Sequence, residues 1–395
     1  MKSVKKLCLL GLFALFLTLP SSASAVEGNR YLVKTGSQFW KNAFNARHEF
    51  SQGFTADLND WQVRFAKLLG VGIEPVNVLQ ILPEEPTVKG KAINKANRLL
   101  PSDQTPWGVE YVYKDNYLSR TSGGEGVNVA VLDTGAVTSH PDLKSRILKC
   151  KDFTNVRFAM VDDKCEDKNG HGTHVAGIIA ADSGADGLGI YGVAPQAFLY
   201  AFKVCGNDGS CYADDIAAAA KTAADEGANI INLSLGGDKS SALITEALGY
   251  AVSKGLLVVA AAGNDGPYFA SIDYPAAQNN VIAIGAFGLN FEIPDWSSRG
   301  SNSKTTPYVV EEQDMELAMP GVNIESTWKN GGYAILSGTS MAAPFASGLA
   351  AKYWPLFALD LNPAESVRNF LHINALDIDG LGDDDSTGFG FARVQ

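Results

Sequence analysis

The chain is poor in several features that mark other protein classes. Of its 395 residues, 32 are Lys or Arg against 43 Asp or Glu, a formal net charge of −11. No basic run occurs in the body of the chain, which excludes nucleic acid as the main partner, because phosphate binding needs basic patches. No apolar stretch in the body reaches the ~20 residues of a spanning helix. Cysteine is scarce, five in all. No Cys-x-x-Cys and no His-Glu-x-x-His spacing appears, which argues against a zinc centre. Internal repeats and low-complexity tracts are absent as well. With 46% hydrophobic and 19% charged residues, the chain is expected to fold as a globular protein, and its length allows two or three domains.

The N-terminus carries the first positive signal. "MKSVKKLCLLGLFALFLTLPSSASA" places lysines first, then an apolar run from Leu7 to Leu19, then small residues ending in Ala23-Ser24-Ala25. That is the layout of a secretory signal peptide, residues 1–25, cut after Ala25. The product is expected to be secreted, extracellular and free of the membrane once the signal is removed. Cys8 leaves with the signal. Cys150, Cys165, Cys205 and Cys211 remain, an even number in an exported chain and an expected pair of disulfides. Connectivity is open from sequence: the local pairs Cys150–Cys165 and Cys205–Cys211 are the simplest, and crossed pairs such as Cys165–Cys205 compete with them.

Residues 26–98 read as a small α+β unit on a tether. "NRYLVKTG" has strand character, "SQFWKNAFNA" suits a helix, and "FTADLNDWQVRFAKLLGVG" has helical spacing behind Asp/Asn caps. The strand-like "VNVLQIL" follows, then a polar Pro- and Gly-bearing linker. From Val127 the pattern changes. "VNVAVLD", "FLYAFKV", "NIINLSL", "GLLVVAAAG" and "NVIAIGA" are short runs rich in Val, Ile and Ala, separated by helical segments that include "DDIAAAAKTAADEG" and "SALITEALGYAVSKG". Such alternation implies an α/β fold, a parallel sheet buried by helices on both faces. In these sheets functional residues gather beyond the carboxyl ends of the strands.

Four stretches place chemically useful residues at such edges. Asp133 ends "VNVAVLD". His171 opens the helix-like "HGTHVAGIIAA" after an Asn-Gly turn. Ser340 opens a helix run in "SGTSMAAPFASGLAA". Asn264 follows Gly263 at the end of "VVAAAGN". A serine hydroxyl attacks only when an imidazole takes its proton, and the imidazole needs a carboxylate to fix its tautomer. A helix N-terminus and an Asn amide offer N–H donors to a developing oxyanion. Pro344 is read as lying in the first helical turn, where its missing N–H costs nothing. His174, three residues after His171, reads as a packed helix histidine.

"VAVLDTG", "NGHGTHVAG", "VVAAAGN" and "SGTSMAAP" resemble the signatures of the subtilisin-like serine proteases, in that family's Asp–His–Ser order. The resemblance covers residues 99–395 and implies a subtilisin-like peptidase domain there, a parallel-sheet three-layer fold. It assigns Asp133, His171 and Ser340 as the triad and Asn264 as oxyanion donor. Residues 26–98 are similar to the family's propeptide, which chaperones folding and inhibits intramolecularly. A secreted pseudoprotease that serves as a binding scaffold is the alternative, set against the intact triad. An aspartic protease built on Asp133-Thr-Gly and Asp182-Ser-Gly leaves too little chain for two lobes. An α/β-hydrolase using His372 leaves "HGTHVAG" unexplained.

The same resemblance implies that polypeptide substrates bind as a strand between two edges, Ser234-Leu235-Gly236 on one side and Gly209-Ser210 on the other. It puts Asp273, before Tyr274-Pro275, at the base of the pocket for the P1 side chain, the residue preceding the cut, where a carboxylate favours Lys or Arg. Cleavage after Arg98 would then mature the chain. Structural calcium is expected, with Asp142, Asp182 and Asp186 as candidate ligands. The acidic loop 377–388 is a weaker second candidate. No cofactor is needed for the chemistry, and the product is expected to be a monomer.

Overall fold

The computed structural model describes residues 29–81, 87–89, 99–303 and 309–395. The expected signal peptide and the expected cleavage site at Arg98 therefore lie outside the described residues. The chain divides into two compact units, the first ending at Val76 and the second starting at Asn77.

The first unit is α+β, as its sequence implies. β1 (Arg30–Lys34), α1 (Gln38–Phe44), β2 (Glu49–Phe50), β3 (Gly53–Asp57), α2 (Asp60–Leu68) and β4 (Gly72–Pro75) follow in order. The four strands form an antiparallel sheet ordered β2-β3-β1-β4. Val33, Trp40, Phe44, Phe54 and Ala66 bury its core. Asn59 starts α2 through a capping box with Gln62, which satisfies two of the N–H groups left open at a helix start.

In the second unit β5 (Val78–Gln80), β6 (Thr87–Lys89) and α3 (Trp107–Tyr113) lead into the main sheet. The alternation then runs β7 (Asn128–Asp133), β8 (Ile147–Asp152), β9 (Val161–Asp162), α4 (His171–Ala180), β10 (Phe198–Lys203), β11 (Ser210–Tyr212) and α5 (Ala213–Asp225). It continues through β12 (Ile230–Leu233), α6 (Ala242–Ser253), β13 (Leu257–Ala261), β14 (Ile282–Phe287), β15 (Leu317–Pro320), β16 (Ile324–Thr327), β17 (Tyr333–Leu336), α7 (Thr339–Phe357) and α8 (Pro363–Ile373). Eight strands are ordered β15-β14-β13-β12-β7-β10-β8-β9, parallel except for β9.

After β7 the chain first builds outward through β8 and β10, then crosses to β12 and continues to β15. The order reverses between β7 and β12, and the carboxyl ends of those two strands open a crevice. α4 and α7 pack over the sheet, both largely buried and rich in Ala and Gly, so that they lie close to the strands. Among the described residues no helix is long and apolar enough to cross a membrane. The two local disulfides, Cys150–Cys165 and Cys205–Cys211, form, and the crossed pairing does not.

Candidate active site

The crevice at the sheet's switch point holds two of the expected side chains, Asp133 and His171, in direct contact, and Ser340 meets Ser234 at the end of β12 beside them. Asp133, last residue of β7, is fully buried. His171, first residue of α4, donates from Nδ1 to its carboxylate, 2.8 Å to Oδ1 and 3.0 Å to Oδ2. This approach depends on Gly172: a Cβ there would stand 2.2 Å from the Gly135 carbonyl oxygen and 3.0 Å from Asp133 Oδ1. The pairing fixes the proton on Nδ1 and leaves Nε2, which has no hydrogen-bond partner, as a base. Burial works against the imidazolium, but the charge of Asp133, its hydrogen bond and the more distant charge of Asp167 together hold the His171 pKa above its ordinary value.

Asp167 was not anticipated. It is 3% exposed, and its carboxylate accepts five hydrogen bonds: Thr134 Oγ1, and the N–H groups of Asn169, Gly170 and Thr173 with the Thr173 hydroxyl. Thr134 Oγ1 in turn accepts from Gly172 N. One carboxylate thus locks the turn after Asp133 to the helix start that carries His171. The available clue was an acid four residues before a helix-opening histidine, where the helix dipole favours negative charge. His174 behaves as the sequence implies. Burial, then the neighbouring His171, lowers its pKa to about 3, and its Nε2–H donates to the Ile324 and Ala334 carbonyls.

Ser340 is the second residue of α7 and 1% exposed. Its hydroxyl donates to the Ser234 carbonyl at 3.2 Å, while the Ser234 hydroxyl donates to the Ser340 carbonyl at 2.9 Å. Pro344 explains the second bond and corrects the sequence reading. It is the sixth helical residue, not part of the first turn, and its missing N–H would have bonded Ser340 O. Ser234 Oγ donates there instead. Asn264 keeps its amide oxygen on Thr339 N and Thr339 Oγ1, at 3.1 and 3.0 Å. That leaves Nδ2 facing the space over Gly338, where an added Cβ would come within 3.3 Å of it. The Ser340 N–H, in the open first turn of α7, faces the same region.

The two expected edges flank a strand of the chain itself. β5 pairs antiparallel with β11, Gln80 opposite Ser210. On its other side Gln80 exchanges two 3.0 Å backbone bonds with Gly236, and Ile81 N donates to Gly209 O at 3.0 Å. The chain's own residues 78–81 thus lie as a strand between Gly209–Tyr212 and Gly236, with Leu235 buried behind. The Cys205–Cys211 bridge closes the loop that carries the first edge. Lys203 anchors that loop, donating to the Thr134 and Cys205 carbonyls. Asp273 lies against Gly236 and Gly263 and is 3% exposed.

The expected calcium ligands do not all converge. Asp142 is fully buried and its Oδ2 accepts from Ile190 N and Tyr333 Oη. Gly189 sits directly against its carboxylate, and the Gly187 and Gly189 carbonyls both meet the Gln104 side-chain amide, at 2.8 and 2.9 Å. Gln104 Nε2 donates to both carbonyls, so the oxygens that calcium would take here are the Asp142 carboxylate and the two carbonyls, joined by the Gln104 amide oxygen once that amide turns over. Asp182 is instead paired with Arg146 at 3.0 Å, and exposed Asp186 caps the N–H of Leu188. In the loop 377–388, Asp377 and Asp384 accept from N–H groups of their own turns.

Comparison with known proteins agrees with this geometry. Residues 124–390 match the subtilase family. A subtilisin of Bacillus sp. (strain TA39) is 43% identical over 398 aligned residues, covering 94% of this chain and 93% of that protein. M-protease of Shouchella clausii (strain KSM-K16) is 34% identical, covering 95% and 93%. Among solved structures, sphericase and the S41 psychrophilic protease superpose with TM-scores of 0.72 and 0.71. Each is 48% identical and covers 74% of this chain and 99% of its own.

Proposed function

The chain belongs to the subtilase family of serine endopeptidases, and from that premise we propose that it is a secreted, self-maturing peptidase that works through Asp133, His171 and Ser340. The observation that carries the reading is the Asp133–His171 pair, its Nε2 unpartnered, at the crevice that also holds Ser340. When a substrate carbonyl enters, the Ser340 hydroxyl turns from the Ser234 carbonyl to His171 Nε2, which takes its proton as Oγ attacks. Asp133 orients the ring and stabilises the imidazolium, and its neighbour Asp167 adds to that field. Asn264 Nδ2 and Ser340 N–H receive the oxyanion. His171 then protonates the leaving amine, and water repeats the sequence on the acyl-enzyme.

Residues 26–98 act as the intramolecular inhibitor and folding aid, with residues 78–81 occupying the groove in the manner of a substrate strand. Release follows cleavage after Arg98, giving a mature core, a monomer, that starts at Leu99. Calcium, held by Asp142, Gln104 and the Gly187 and Gly189 carbonyls, stabilises the fold and takes no part in the chemistry. A fluorophosphonate probe tests the reading. It should label one serine, mapped by peptide mass to Ser340, and labelling should vanish in His171→Ala. Failure of the mature wild type to label would overturn it.

A further inference from the structure

We propose that the paired segments Val78–Gln80 and Thr87–Lys89 hold the chain across its own active site as a substrate that cannot be cut, and that a second copy of this chain makes the first cut, after Arg98. The inference deepens the peptidase reading and rests on it.

The register decides which bond is offered. Gln80 and Gly236 form an antiparallel bridge in which each backbone N–H donates to the other's carbonyl at 3.0 Å. In such a pairing, one step back along the wall matches one step forward along the strand. Ser234, two residues before Gly236, therefore faces the position two along from Gln80. Ser234 is also the residue whose carbonyl accepts the Ser340 hydroxyl at 3.2 Å. Counting along the chain, the carbonyl offered to Ser340 is that of Leu82, and the bond after it joins Leu82 to Pro83. These two residues lie outside the described ones, and the sequence alone names them.

The chain is gripped again beyond that bond. Thr87, Val88 and Lys89 pair antiparallel with Ile335, Ala334 and Tyr333 of β17. β17 ends at Leu336 and leads through Ser337, Gly338 and Thr339 to Ser340. The segment before the bond is therefore held on the Gly236 wall, and the segment after it on the β17 wall. A strand bound on both sides of the nucleophile has the backbone contacts of a complete substrate.

Proline at position 83 blocks the reaction. To depart, the nitrogen after the attacked carbonyl must take a proton from His171. A proline nitrogen carries its ring Cδ where other residues carry hydrogen, so carbon crowds the reacting centre. The same Cδ presses on the N–H and Cβ of the preceding residue and keeps it extended. The strand binds as a substrate and persists as an inhibitor. Being tethered, it refills the groove at an effective concentration of about millimolar. Arg98 lies past Lys89, outside both paired segments, and has no place in a groove already filled by residues 78–81. The cut after Arg98 thus comes from a molecule whose groove is empty. Its Ser340 attacks the Arg98 carbonyl, the Leu99 nitrogen departs with a proton from His171, and water frees the Arg98 carboxylate.

The test refolds the full chain from residue 26 onward out of denaturant and follows it by intact mass. Wild type should mature after a lag, tenfold dilution should slow maturation per molecule about tenfold, and added mature enzyme should abolish the lag. No fragment should begin at Pro83. Ser340→Ala should stay whole alone and be cut after Arg98 once mature wild type is added. Pro83→Ala should be cut after Leu82 at a rate that dilution leaves unchanged. If that variant fails to fold, the wild-type dilution series decides the matter. A wild-type fragment that begins at Pro83, maturation indifferent to dilution, or folded Pro83→Ala left whole after Leu82 overturns the inference. With Ser340 still labelled by the fluorophosphonate, each of those results leaves the peptidase reading standing. No cleavage of any chain at any concentration, with no labelling of Ser340, overturns both.

Discussion

Removing a single hydroxyl, Ser234→Ala, isolates the reason the nucleophile stays in place. Ser234 Oγ donates to the Ser340 carbonyl because Pro344 has no N–H to do so, and it accepts from Asn232 Nδ2 at 3.0 Å. Ser234, Ser340 and Asn232 are at least 99% buried, so the substitution strands one acceptor and one donor away from water. Each stranded group costs about 1–3 kcal/mol, or about 2–6 kcal/mol together. For a domain of this size that corresponds to a melting temperature lower by about 4–12 °C. Pro344→Ala returns an N–H to the helix and should recover the acceptor's share, about 1–3 kcal/mol, only when Ser234 is already absent. Calorimetry of the four members of this cycle, built on Ser340→Ala to prevent self-digestion, reads the coupling directly. Equal costs of Ser234→Ala with and without Pro344 would refute the account.

Three further outcomes follow from the same geometry. Asn264→Ala should lower kcat about 10²–10³-fold with little change in KM, a size established on a subtilisin and carried over here; an unchanged kcat would remove Asn264 from the oxyanion site. Asp167 is among the charges that raise His171, and the reaction needs the neutral ring, so activity rises with pH through that raised pKa. Asp167→Asn should therefore move the acid limb of kcat/KM to lower pH, and Asp167→Glu should leave it in place; a limb that moves in neither variant makes Asp167 a helix cap alone. Replacing Cys205 and Cys211 by serine should cost about 2 kcal/mol of stability. KM should rise more than kcat falls, because the loop carries the Gly209–Ser210 edge; unchanged KM would refute the link.

Much of this was legible because it is local. The strands β7, β12 and β13 are short apolar runs that end in Asp133, Ser234 and Asn264's turn, so the sheet edge could be read from where each run stops. The helix starts at His171 and Thr339 follow glycines, and both were visible. What escaped depended on distance in the chain. Asp167 gains its role only when the turn after Asp133 folds back over the start of α4, about 38 residues along. The bond that offsets Pro344 comes from Ser234, on a different strand. Gln104 meets the Gly187 and Gly189 carbonyls across the domain, whereas Asp182, beside them in sequence, is taken by Arg146. Asp238, in the loop after β12, meets Asp265 and Asp273, which both lie in the loop between β13 and β14. The strand-like "VNVLQIL" was seen as a strand, but the antiparallel partner that ties Val78–Gln80 to β11 was not.

Self-cleavage by Ser340 is the centre of the account, and intact mass with N-terminal sequencing of the secreted protein tests it most directly. Wild type should begin at Leu99, while Ser340→Ala, expressed alone, should begin at Val26 and keep residues 26–98 covalently attached. Identical N-termini in the two proteins would contradict it.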